Sequence, residues 1–193
     1  MGKRILIING HPDAESFNQA LAETYKLGAL ASGAEVKEIH IHALDFNPNL
    51  KFGYNKISPL EADLLTAIEA LKWANHLVWI HPVWWGGLPA QMKGFIDRVF
   101  LPGTTFKYKK DSIWWDRLLK GRSARIITTM DQPGWYYWLF YGKPSINQLK
   151  KSTLEFCGVS PVKVTTIGPI RNADTARRNI FLKKVNALGA SCK

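Results

Sequence analysis

The chain has 193 residues, 46% hydrophobic and 21% charged, enough for one buried core and outside the disordered and fibrous classes. Lys and Arg outnumber Asp and Glu by 26 to 15, and the formal net charge of +11 favours anionic partners. Two cysteines exclude a disulfide framework. The basic residues are scattered or in short groups (Lys107, Lys109 and Lys110; Arg177 and Arg178), so no nucleic-acid partner is expected.

The first element is the apolar run RILII (Arg4 to Ile8), a buried strand too short for a signal-peptide core. With so few cysteines, the expected compartment is the cytoplasm. The stretch NGHPDAESFN follows, and Ser16, or Asp13 before it, is set to cap a helix carrying Phe17, Leu21, Thr24, Leu27 and Ala31 at helical spacing. A second strand, EVKEIHI (Glu35 to Ile41), ends in His40 and His42; no carboxylate or Cys completes a ligand set, and no metal is expected.

The third strand is HLVWI (His76 to Ile80). It lies within an uncharged stretch, Trp73 to Met92, long enough to suggest a membrane span. Asn75, His76, His81, Pro82, Gly86, Gly87 and Pro89 interrupt that stretch, so a strand followed by a loop explains it better. Leu88, Met92, Phe95, Ile96 and Val99 then predict a helix, and ARIITT (Ala124 to Thr129) a fourth strand. After a long aromatic loop, Ile146, Leu149, Thr153 and Leu154 give another helix, VKVTTI (Val162 to Ile167) a fifth strand, and Phe181, Val185 and Leu188 the last helix.

Strands alternating with helices predict a doubly wound α/β fold in one domain, residues 1–193. Such sheets bind ligands outside the carboxyl ends of their strands, where strand order reverses. Three loops therefore matter. The first offers His11, Ser16 and Asn18 at a helix N-terminus, a candidate phosphate site, although a plain cap and turn would use the same residue types. There is no G-x-G-x-x-G and no P-loop. The second, HPVWWGGLPAQMKGFIDRVF, sets Pro82, Val83, Trp84 and Trp85 against two glycines, which suits close backbone approach to a flat ring or an aromatic core corner. The third, TTMDQPGWYYWLFYGKPS, is long enough for a lid; its Trp135 to Tyr141 cluster also suits a dimer interface or a membrane-touching patch.

Together, GHPDAESFNQAL, HPVWWGGLPAQMKGFIDRVF and the Thr pair ending the fourth strand resemble the flavodoxin-like NAD(P)H:quinone oxidoreductase family, which includes the modulator-of-drug-activity and potassium-efflux ancillary types. The resemblance extends over nearly the whole chain and implies a five-stranded parallel sheet in the order 2-1-3-4-5. It implies FMN or FAD as cofactor, one per subunit, with NAD(P)H as co-substrate and hydride passing through flavin N5 to a quinone or similar electrophile. By carry-over, His11, Ser16, Phe17 and Asn18 surround the flavin phosphate. Pro82, Val83, Trp84 and Trp85 line the isoalloxazine edge with backbone N–H groups near it, Thr128, Thr129, Met130 and Asp131 meet the pyrimidine end, and Tyr136 is the catalytic tyrosine. Phe106 and Tyr108 match aromatics that cap the partner subunit's site in a homodimer.

The chain departs from the family at Met130-Asp131, where Gly-Gly is common, and at Gly142, near the place of a histidine that often follows the tyrosine. Ile68 stands where a glutamine near the FAD adenine is frequent, which leaves FMN and FAD both open. The charge and the WYYWLFY patch also fit a second reading, a flavin-binding regulatory subunit of a membrane protein.

Overall fold

The computed structural model describes residues 2–56 and 58–192. Five parallel strands form the sheet: β1 (Arg4–Asn9), β2 (Glu35–His40), β3 (His76–Pro82), β6 (Ser123–Thr129) and β7 (Val162–Ile167). They run in the order β2-β1-β3-β6-β7, the expected order once the short antiparallel hairpin β4 (Phe106–Tyr108) with β5 (Trp115–Arg117) is set aside. Ile5 to Ile8 of β1 and Leu77 to Ile80 of β3 are fully buried, which is why both segments read as unbroken apolar runs.

Helices cover both faces. On one, α2 (Ala62–Trp73), α3 (Ala90–Val99) and the segment formed by α5 (Pro144–Asn147) and the π-helical Gln148–Glu155 enclose Leu6, Ile8, Trp79, Phe95, Ile126 and Leu149. On the other, α1 (Phe17–Ala31) and α6 (Thr175–Ala190) enclose Ile5, Ile7, Tyr25, Val78, Ile127 and Val185. α1 and α6 touch so closely that a Cβ at Gly28 would overlap the Asn186 carbonyl. This contact rotates α1 from the face that its periodicity suggested: Leu27 is 63% exposed, while Tyr25, Gly28 and Ala29 are buried.

Several elements were not legible beforehand. α2 carries Ile68 in the core, away from the cleft described below. His42 lies in a 3-10 turn, Ile41–Ala43, beyond the end of β2, with its ring 5.7 Å from that of His40. The aromatic cluster forms α4 (Gly134–Tyr141), a helix in which only Tyr137 is buried. The segment before α2 is tied to α3 by Arg98, 3% exposed, which pairs with Glu61 at 2.7 Å and donates to the Pro59 carbonyl. Among the described residues, no helix is long and apolar enough to cross a membrane.

Candidate active site

The carboxyl ends of β1, β3 and β6 open into one cleft with two ends. Cavities of about 310 and 470 Å³ adjoin there and share Val83, Trp84, Met130 and Asp131 as walls.

At the first end, Asn9 leaves β1 fully buried, donates to Gln19 Oε1 at 2.8 Å and accepts the His11 backbone N–H at 3.1 Å. The turn that follows is thereby tied to α1. Ser16 caps α1, its hydroxyl accepting from the Gln19 N–H at 3.3 Å, so the first turn presents its free N–H groups to the cavity. Asn18, 3% exposed, accepts from the Thr129 hydroxyl at 2.8 Å, while its Nδ2 is buried without a partner. His11 accepts the Asp13 N–H at 3.0 Å and meets Trp84 edge-on at 5.5 Å. Burial lowers its pKa, against the opposing effect of Asp13.

At the second end, Trp84 to Gly87 form a tight turn, with N–H to carbonyl bonds of 3.2 and 2.8 Å between its ends. Trp85 and Gly86 both take positive φ, 50° and 75°, as a type I′ turn requires. The Trp85 indole is fully exposed, and the turn is held from behind by the buried Tyr137, whose hydroxyl donates to the Gly86 carbonyl at 2.8 Å and accepts the Ser145 N–H at 3.0 Å. Val83 N–H is bonded to the Thr129 carbonyl and Trp84 N–H to that of Gly87. Within this turn, the N–H groups of Trp85 and Gly86 are therefore the ones available to a ligand. Met130 is buried and its N–H bonds to Ile167; Asp131 pairs with Arg171 at 2.9 Å.

The cleft gathers His11, Ser16, Phe17, Asn18, Pro82, Val83, Trp84, Trp85, Thr129, Met130 and Asp131. It does not gather Thr128, whose side chain is fully buried in the sheet, or Tyr136, whose ring stacks on Phe140 at 4.7 Å; the tyrosine that lines the cleft is Tyr141. Phe106 and Tyr108 border a different cavity of about 350 Å³, with Tyr54, Lys93, Asp97 and Phe156. Sequence reasoning missed Ile170 and Arg178, which close the first end from the β7–α6 side. The only signal for Arg178 was its place in a short basic pair.

The order of strands and the cleft outside their carboxyl ends define a flavodoxin-like protein. Residues 3–188 match the family described as having a flavodoxin-like fold, and the chain belongs to it. A Haemophilus influenzae protein named "Uncharacterized NAD(P)H oxidoreductase" is 28% identical, covering 92% of this chain and 90% of the relative. The crystal structure of Smu.1420 from Streptococcus mutans is 32% identical, with a TM-score of 0.82 over 97% of this chain and 99% of that one. An FMN-dependent NADH:quinone oxidoreductase of Ruegeria pomeroyi is 27% identical over 67% of this chain and 70% of its own length. Relatives that the chain matches are named as NAD(P)H oxidoreductases and quinone dehydrogenases.

Proposed function

We propose that the protein is a flavin-dependent NAD(P)H oxidoreductase that reduces quinones or similar small electrophiles. The observation that carries this reading is the two-ended cleft: a buried, unpartnered Asn18 Nδ2 beside a helix N-terminus at one end, and an indole-walled space at the other. This donor set suits a phosphate, and the flat apolar walls suit a fused ring. The residues present therefore fit a flavin, FMN or FAD, and the FMN-dependent relative supports FMN.

When bound, a flavin supplies the hydride chemistry between nicotinamide and acceptor. The protein positions and shields. Ser16, Asn18, His11 and the first turn of α1 would hold the phosphate. Trp84 and Trp85 would flank the ring, the free N–H groups of Trp85 and Gly86 would stabilise negative charge at its edge, and the buried Tyr137 keeps those groups in place. Tyr141 stands where it would donate to a reduced acceptor, with Tyr136, held against Phe140, as the second candidate.

The Phe106 and Tyr108 face supports a homodimer, and the scarcity of cysteine a cytoplasmic setting. A regulatory subunit of a membrane protein draws on the exposed aromatics of α4, among them Trp135, Leu139 and Phe140. The test is anaerobic spectroscopy after reconstitution with FMN or FAD. Prompt bleaching by NADPH or NADH, reversed by a quinone, supports the enzyme; tight flavin binding with negligible turnover supports the regulatory reading; failure to hold either flavin overturns both.

A further inference from the structure

Arg178 closes the phosphate end of the cleft in an unusual electrostatic position. It lies in the first turn of α6, whose N-cap Asp174 accepts the Arg177 N–H, and a cation gains nothing from the positive end of a helix. Its guanidinium is nevertheless fixed. Nε donates to the Ala173 carbonyl at 3.1 Å, and Cζ sits 5.4 Å from the centre of the Phe17 ring, at the start of α1. Among the described residues, the two terminal amino groups have no hydrogen-bond acceptor and no ion-pair partner.

The same cavity holds the buried Asn18 Nδ2, also without an acceptor. Its two carboxylates do not answer Arg178, because Asp131 pairs with Arg171 and Asp13 accepts the Glu15 N–H. Unmatched donors, a fixed guanidinium and two positive helix ends converge on one space. His11 in that wall is a weak source of charge at neutral pH, since burial lowers its pKa.

We propose that the Arg178 guanidinium is the permanent counter-charge for the 5′-phosphate of the flavin, an assignment that rests on the flavin-binding reading above. It distinguishes phosphorylated flavin from riboflavin, with which the ring end makes all its contacts equally well. No family motif in the first three loops contains it, because it comes from the far end of the chain.

The experiment is titration of apoprotein with FMN, FAD and riboflavin in parallel, followed by flavin fluorescence, for wild type, Arg178→Gln and Arg178→Lys. Removing a charge-assisted contact should weaken FMN about 10- to 100-fold while riboflavin stays within about twofold, and Arg178→Lys should recover most of the loss. Riboflavin binding also reports that the variant is folded; if Arg178→Gln does not fold, the Lys variant and a wild-type FMN affinity that falls with salt, against a flat riboflavin affinity, serve the same purpose. Equal loss of FMN and riboflavin, no loss at all, or a loss confined to FAD, which would put the guanidinium at the adenylate, overturns the proposal and leaves the flavin reading intact. If wild type binds none of the three, the flavin reading itself fails.

Discussion

At the end of the cleft proposed to hold the phosphate, the polar side chains hold one another: Asn9 with Gln19 and His11, Ser16 with Gln19, Asn18 with Thr129. At the ring end the cleft is walled by indoles and Tyr141, with Trp84 44% and Trp85 105% exposed, on a turn that forces a tryptophan into the left-handed region. The first end is preorganised for one charged group, whereas the second is an open apolar shelf held from behind by Tyr137 and the Ser145 N–H, which both bond to the Gly86 carbonyl. Binding a constant cofactor group and admitting two different partners in turn ask for this division.

The ring end is most sensitive to a change beneath it. His81, fully buried one residue before Pro82, is pushed down to about 4 by burial, against a smaller opposing hydrogen bond to the Pro82 carbonyl. The unfolded chain takes up the proton first as pH falls. The His81 contribution is therefore complete above about pH 6.5 and lost between there and pH 4, roughly 3 kcal/mol at about 1.4 kcal/mol per pH unit, and His76, pushed down to about 3 by burial, adds a loss of the same sign that continues below pH 4. Urea unfolding at pH 7, 5 and 4 measures this, and His81→Leu should cut the slope by about half, leaving the His76 part; an unchanged slope would refute the assignment.

Tyr137→Phe should cost about 2 kcal/mol, since it leaves the buried Ser145 hydroxyl without its partner and reduces the Gly86 carbonyl to the single bond it accepts from the Ser145 N–H. Chemical denaturation reads the loss. A variant as stable as wild type would mean that the ring-end turn holds itself. At the other end, Asn18→Ala should weaken flavin binding about tenfold, roughly 1.4 kcal/mol, and cost about 1 kcal/mol of stability because the buried Thr129 hydroxyl loses its acceptor, while His11→Ala should weaken binding by less with little change in unfolding midpoint. Unchanged flavin content in both variants would count against the phosphate site.

Tyr141→Phe should lower quinone turnover several-fold with flavin affinity intact, and Tyr136→Phe should do less, because its ring rests on Phe140 outside the cleft. The reverse order in steady-state rates would return the catalytic role to Tyr136. The smallest effect is a gain: Trp85→Gly, at φ 50°, should raise stability by up to about 1 kcal/mol while weakening acceptor binding.

That His11, Ser16, Phe17 and Asn18 come together at the first end of the cleft was legible because they are neighbours in sequence, on one turn and one helix start where local capping rules apply. The ring-end loop was legible for the same reason. Its hydrogen bonding was not, since Val83 and Trp84 direct their N–H groups to Thr129 and Gly87 and leave Trp85 and Gly86 to face a ligand. The aromatic run gave no sign that Tyr137, flanked by equally apolar neighbours, would be the one to go inside.

The sequence by itself determined the five parallel strands and the three loops at their carboxyl ends, because a strand buried on both faces needs an unbroken apolar run and the loops must break it. Only the tertiary structure decided which face of α1 is buried and which tyrosine meets the cleft. It also brought Arg178, 161 residues from Phe17, over that ring. Those outcomes depend on how helices distant in sequence approach one another, and local spacing carries no record of that approach.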